Sequence, residues 1–346
     1  MASPTVGMPV GTPLGTSVGS PQTPSPSIMV IGSLNADLVT YTPRIPAGGE
    51  TMAANAFRTG LGGKGANQAV ACAKIGRRRD APEGSSNAVP VYMVGAVGDD
   101  VYGQTMTSSL TSVGIDVSGI AVRKGQSTGV AVIIVDEAAG GENRIMLSSE
   151  ANGTLTPDEY ATSLPTPGGH LPSLLLLQLE IPLPTVLQIL ETAHRQGVPV
   201  LLNAAPAQTL PDASYKCITH LVVNETEASF LSGTTLDLSG DDTQWDAQLA
   251  RVAGHFLALG VQHVVITLGS AGVYHASASS GSGHVAAVKT SVVDTTAAGD
   301  TFIGAYALAL VQGQSIAAAV QAANRAAAIT VSRRGAQESI PWLDEL

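Results

Sequence analysis

The run Asp294-Thr295-Thr296-Ala297-Ala298-Gly299-Asp300 carries the clearest chemistry in this sequence. It lies between a strand-like run and a strongly helical one, which puts Ala298, Gly299 and Asp300 at a helix N-terminus. Free N–H groups and the helix dipole converge there. Small side chains let a phosphate approach the backbone, and an aspartate at the same spot can accept a proton from an attacking hydroxyl. The plainer alternative makes Asp300 an N-cap, but a seven-residue stretch of this kind is more specific than a lone Gly-Asp.

Asn224-Glu225-Thr226-Glu227 follows the strand-like run at 220–223 and opens another helix. Its spacing is that of a capping box. Asn224 and Glu227 are also a hard-oxygen pair suited to orienting waters on Mg²⁺ beside phosphates, and the two roles can coexist. Gly60 to Gly65 has Gly-x-Gly-x-x-Gly spacing but does not lie in the first strand-to-helix turn, where a dinucleotide fingerprint belongs. It is no Walker A loop either, because Gly65 follows Lys64. A flexible turn before a helix is the competing reading. Asn35 and Asp37 follow the first strand, and Glu180 follows the run 173–178. Those are carboxyl ends of strands, where parallel sheets bind ligands, although each residue taken singly is equally a solvated loop position. The seven histidines show no ligand or triad spacing.

These residues need elements to hold them. Short apolar runs at 28–32, 89–94, 173–178, 198–203, 220–223 and 263–267 read as buried strands. Helical stretches alternate with them at 66–75, 102–113, 184–195 and 245–259, and two long Ala-rich helices at 301–312 and 315–331 finish the chain. This rhythm predicts a mostly parallel sheet covered on both faces. Residues 37–60 and 128–149 carry strand-like residues without a helix between them, the second as a hairpin turning at 136–143, and are expected to form a small separate sheet. Val130 to Val135 is apolar throughout, so it is expected to be buried on both faces, with a partner subunit as one possible cover. The segments 77–89, 165–172, 232–244 and 276–283 read as surface loops.

Composition narrows the function classes. The 346 residues are 44% hydrophobic and 13% charged, with a net charge of −10. Such a chain repels nucleic acid and is not a disordered polyelectrolyte. Cys72 and Cys217 are too few for a disulfide framework or a zinc cage and suggest a reducing compartment. No run approaches a membrane span, so a soluble, cytoplasmic protein is expected, with nuclear entry left open. Residues 1–27 lack a signal peptide's charged start and apolar core and read as a disordered tail. Residues 28–346 read as the folded domain.

From about Ser27 to Trp342 these pieces, in this order, resemble the ribokinase family of carbohydrate kinases. The elements that carry the resemblance are Gly32 to Asp37, Gly62 to Gln68, Asn224 to Glu227, Asp294 to Asp300, and Arg334-Gly335-Ala336-Gln337. The resemblance implies a three-layer α/β/α core with a mostly parallel sheet and a small β-sheet lid, about 37–60 and 128–149, which clasps a second copy into a homodimer. It implies ATP-dependent phosphorylation of D-ribose at its 5-hydroxyl, aided by Mg²⁺ and a potassium-like activator. By motif, Asp300 is the base and Ala297, Ala298 and Gly299 the anion hole. Asn35, Asp37, Gly63, Lys64, Asn67 and Glu180 surround the sugar. Asn224 and Glu227 serve Mg²⁺ and phosphates, while Thr267, Gly269, Gly272 and Asn324 line the nucleotide site. The K⁺ ligands are Asp294, the carbonyls of Thr296, Thr330, Arg333 and Gly335, and the Ser339 hydroxyl. Residues 1–27, the segment 77–89, an extra glycine within 46–50, and Val223 in place of a proline depart from the family pattern.

Other functions stay open. A fructokinase or adenosine kinase of the same family shares the Asp300 and Asn224–Glu227 motifs, but the run Gly62 to Asn67 favours ribose. A non-catalytic sugar-binding regulator conflicts with the intact Asp300. An NAD-dependent oxidoreductase lacks the right context for its glycines.

Overall fold

The computed structural model describes residues 1–2, 25–81, 89–139, 142–238 and 242–346. Most of the expected tail, part of the loop at 77–89, the tip of the hairpin at 136–143 and residues 239–241 of the loop at 232–244 lie outside them.

The chain begins with β1 (Ile28–Ile31), β2 (Asn35–Thr42), β3 (Ala56–Gly62), α1 (Lys64–Ile75), β4 (Val91–Gly98), α2 (Val101–Ser112) and β5 (Asp116–Arg123). It continues through β6 (Gly129–Asp136), β7 (Glu142–Ser148), β8 (Leu174–Leu177), α3 (Leu183–Arg195), β9 (Val200–Asn203), α4 (Asp212–Tyr215), β10 (His220–Asn224) and α5 (Glu225–Ser232). It ends with α6 (Asp242–Ala258), β11 (His263–Thr267), β12 (Val273–Ser277), β13 (Gly281–Val285), α7 (Ala298–Val311) and α8 (Ile316–Val331).

Nine strands form one sheet in the order β13-β12-β11-β10-β9-β8-β1-β4-β5. From β11 to β5 all neighbours are parallel, and β12 and β13 add an antiparallel hairpin at the edge. The central strands β1 and β8 are apolar at every position because both faces are covered. In β1, Met29 and Ile31 enter one core with α3 and α6, whereas Ile28 and Val30 enter the other with α1, α7 and α8. The chain leaves β1 for β4 on one side and returns to β8 on the other. That makes a topological switch point beside β1, where an α/β sheet opens a ligand crevice.

The expected second sheet exists, in the order β3-β2-β6-β7, with β2 and β6 parallel and β6 and β7 an antiparallel pair. One expectation fails within the single chain. Of Val130 to Val135 only Ala131 is buried and the rest are half-buried, because no helix layer among the described residues covers this sheet. Ile145, Met146 and Leu147 on β7 and Phe57 on β3 are more exposed still, at 50–60%. A second correction concerns 276–283, which closes the hairpin β12–β13 rather than forming a plain loop. Its Ser-Gly composition suggested a loop, but edge pairing needs only backbone. Strand β5 was also missed, since Asp116, Ser118 and Gly119 dilute its alternation.

Candidate active site

Helix α7 starts at Ala298, where the small-residue run places a helix N-terminus and three residues before the Ala-rich stretch at 301–312. Its N-cap is Ala297 in the left-handed region (φ 58°), a strained state for an alanine, and this turn brings Ala298, Gly299 and Asp300 into the first helical turn. Asp300 is therefore not the cap. Its buried carboxylate reaches across to α1, where Asn67 Nδ2 donates to Oδ2 and Gln68 Nε2 to Oδ1, both at 3.0 Å. Ala298 donates its own N–H to the carbonyl of Thr295 at 3.2 Å. Gly299 and Asp300 are thus left as the first-turn donors for an anion.

Asp300 opens into a cavity of about 200 Å³ whose lining includes Lys64, Asn224, Glu227, Thr267, Ala297 and Gly299. Every strand that reaches it does so by its carboxyl end. Asn224 and Thr267 are direct neighbours across β10 and β11. The capping box at α5 is real, with Glu227 N–H donating to Asn224 Oδ1 at 2.8 Å and Asn224 N–H to Glu227 Oε2 at 2.9 Å. Because Glu227 also lines the cavity, the cap and a ligand role coexist. Gly269 and Gly272 form the turn from β11 to β12. Asn324, midway along α8, donates to the carbonyl of Ala286 at 3.2 Å.

The other group of residues lies where β2 meets α1. Asn35 pairs with Gly62, and Asp37 with Gly60, in the β2–β3 ladder. Gly63 is required at φ 86°, because a Cβ there would lie 2.8 Å from both the Asn35 N and the Ser33 O. Glu180 accepts the Ser33 hydroxyl at 2.6 Å and the Lys64 N–H at 3.0 Å, which fastens the start of α1 to the loop after β8. Burial, with Glu180, Glu338 and Asp300 nearby, pushes the Asp37 carboxyl up to about 7. Burial works against the Lys64 ammonium, yet Asp300, Glu180 and Glu227 outweigh it and raise its pKa. Burial likewise raises Glu227, against the opposing pull of the Asn224 N–H and Lys64.

The two segments expected to hold a monovalent cation do meet. Val293 and Asp294 donate their N–H groups to the carbonyl of Val331 at 2.7 and 3.2 Å, and Gly335 N–H donates to Asp294 Oδ2 at 3.0 Å. The Thr296 N–H and hydroxyl both donate to Asp294 Oδ1, and these bonds with Gly335 hold the Asp294 carboxyl low although burial opposes them. Thr330 O accepts the Arg333 N–H at 3.0 Å, and the Ser339 hydroxyl donates to Ala336 O at 2.7 Å. Both oxygens keep a lone pair. One carboxylate among neutral oxygens suits a weakly hydrated monovalent ion. No group of three His, Cys, Asp or Glu among the described residues could cage a metal.

Sequence reasoning missed the residues behind these. Gln68, Asn203, Gln337 and Asn152 are amides whose partners are distant in sequence. Asn152, for instance, accepts the Leu34 N–H at 3.0 Å and donates to Asn35 Oδ1 at 2.8 Å. The signals were the place of Gln68 and Gln337 at the ends of the runs 62–68 and 334–337, and polar residues at the ends of apolar runs, as at Gln178 and Asn203.

The family model described as pfkB family carbohydrate kinase matches residues 25–343. A ribokinase of Schizosaccharomyces pombe is 42% identical over 92% of this chain and 96% of its own. A deoxyribokinase of Salmonella typhimurium is 36% identical over 92% of this chain and 96% of its own. The structure of Arabidopsis thaliana ribokinase complexed with ribose and ATP superimposes with a TM-score of 0.78 at 30% identity, covering 92% of this chain and 97% of that one. The geometry and these likenesses agree, and the chain belongs to the pfkB family of carbohydrate kinases.

Proposed function

We propose that this chain transfers the γ-phosphoryl group of ATP to the 5-hydroxyl of D-ribose, giving ribose 5-phosphate and ADP. The observation that carries the reading is the placement of Asp300. A buried carboxylate at the start of a helix faces one cavity with a lysine and a second carboxylate behind it. The sugar's O5 attacks the γ-phosphorus, the bond to the bridging oxygen breaks, and the hydroxyl proton passes to Asp300. Phosphoryl transfer is loose at the transition state, so positioning and charge stabilisation do most of the work.

Asn35, Asp37, Gly63, Lys64, Asn67 and Glu180 hold the sugar, with Asp37 and Glu180 accepting its hydroxyls. Ala297 sets the turn, and the N–H groups that follow it, of Ala298, Gly299 and Asp300, take up the developing charge. The Ala298 N–H donates to the Thr295 carbonyl, so Gly299 and Asp300 are the donors most directly free for that charge. Thr267, Gly269, Gly272 and Asn324 line the nucleotide. Asn224 and Glu227 are the residues that would hold Mg²⁺ through water, and Asp294, Thr296, Thr330, Arg333, Gly335 and Ser339 those that would hold K⁺. Bound there, the divalent ion neutralises phosphate charge and the monovalent ion braces the loop ahead of α7. Exposed apolar side chains, Phe57 on β3 and Ile145, Met146 and Leu147 on β7, support a homodimer closed through the small sheet, which acts as a lid. No helix among the described residues is long and apolar enough to cross a membrane. Cys72 and Cys217 are free thiols, which supports a reducing compartment, and we place the enzyme in the cytoplasm.

The test is ADP release with ribose, 2-deoxyribose, fructose, adenosine or no acceptor, with the product's phosphorylated carbon identified by NMR. The reading expects release that depends on ribose and phosphate on carbon 5. Release indifferent to ribose overturns it.

A further inference from the structure

Both oxygens of Asp300 are occupied by side-chain amides from consecutive residues of α1, and each amide is itself oriented by another. Gln337 Nε2 donates to Asn67 Oδ1 at 3.2 Å, which turns the Asn67 NH₂ towards Asp300. Gln178 Nε2 donates to Gln68 Oε1 at 2.7 Å, which turns the Gln68 NH₂ towards Asp300 and Asn203 Oδ1. Asn203 then donates onward to the carbonyl of Val222 at 3.2 Å. Gly32 leaves room for Gln178, whose Oε1 stands 2.0 Å from where a Cβ on Gly32 would lie. Gln68 and Gln178 are fully buried, so water cannot replace either bond.

We propose that Gln68 is a positioning residue for the reaction: its amide, oriented by Gln178, holds Asp300 as an acceptor facing the sugar site. The inference rests on Asp300 being the base. An amide N–H donates only to a lone pair, so two amides converging on the two oxygens fix the plane and direction of the Asp300 carboxyl and leave its remaining lone pairs for the sugar hydroxyl. The charged groups within electrostatic reach of Asp300 are Lys64 on α1, Asp37 on β2 and Glu227 on α5. All three stay in place when Gln68 is changed.

Gln68→Met keeps the length and removes the donor, while Gln178→Met leaves the donor but frees its direction. Turnover with saturating ribose and ATP should fall about ten- to a hundredfold in Gln68→Met, KM for ribose should stay within about threefold, and Gln178→Met should show the same split at smaller size. In carboxyl-carbon NMR the Asp300 resonance, assigned by its disappearance in Asp300→Asn, should move in both variants at one fixed pH, because the carboxylate loses an oriented donor. Folded variants whose turnover and Asp300 resonance both match wild type overturn the inference. If Gln68→Met does not fold, Gln178→Met decides alone. Failure of the kinase reading would show separately, as wild-type protein with no ribose-dependent ADP release, and the carbon resonance would still read the Gln68 contact.

Discussion

Asp37 is a costly residue for the ligand-free fold, and replacing it should reveal that cost. Its ordinary value of 3.8 rises to about 7 because burial removes water and Glu180, Glu338 and Asp300 repel the charge. Between those two values the folded chain holds a proton that the unfolded chain has released. Stability therefore falls as pH rises from 3.8 through 7, and levels off above. The full difference corresponds to at most about 4 kcal/mol, of which about 2–3 kcal/mol develops between pH 5 and pH 8.5. Asp37→Asn keeps the shape without the charge. Urea unfolding of the sugar-free proteins at several pH values should show the variant gaining on wild type by about 1–3 kcal/mol across that range, the lower figure allowing for relaxation of the neighbouring carboxylates. Glu227 and the other titrating groups are common to both proteins and cancel in the difference. Two stability curves that stay parallel from pH 5 to pH 8.5 would refute the argument.

The same carboxyl should make KM for ribose fall as pH rises from about 5.5 to 8, because the ionised form accepts sugar hydroxyls, and Asp37→Asn should lose that dependence. Glu227→Gln should raise the Mg²⁺ concentration for half-maximal activity by about tenfold with little change in ribose KM; an unchanged Mg²⁺ titration would leave only the helix cap. Ile133→Asp, opposite Ile145 on β7, should shift sedimentation towards monomer and raise ribose KM, and a stable wild-type monomer would refute the lid interface. Asp294→Ala should abolish any gain in rate when K⁺ replaces Na⁺ at constant ionic strength, whereas equal rates of wild type in both salts would count against the cation site.

Much of this was legible in the sequence because the site is built from short motifs at strand ends. Asn35, Glu180, Asn224 and Thr267 each follow an apolar run, and the sheet topology alone brings those ends together. The small-residue run before Asp300 announced a helix start, but not that Ala297 would turn left-handed to begin α7. The amide relay through Gln68, Gln178 and Asn203 was not legible, since its members are 110 and 135 residues apart and bear no charge or periodicity. The exposure of β7 was hidden for a different reason. Its apolar residues Ile145 to Leu147 sit among Glu142, Asn143, Arg144 and Ser148, and only the three-dimensional layering shows that nothing among the described residues covers Ile145 and Leu147.

The central claim is that the Asp300 carboxylate accepts the proton of the sugar hydroxyl. Asn is nearly isosteric and keeps the packing at the start of α7, so Asp300→Asn should fold and bind ribose with an affinity close to wild type. Single-turnover kinetics with saturating ribose and Mg·ATP, alongside calorimetry for ribose, is the most direct measurement. The account predicts a loss of about a hundred- to ten-thousandfold in the phosphoryl-transfer rate with ribose binding preserved. A variant that transfers phosphate within a fewfold of wild type would contradict it.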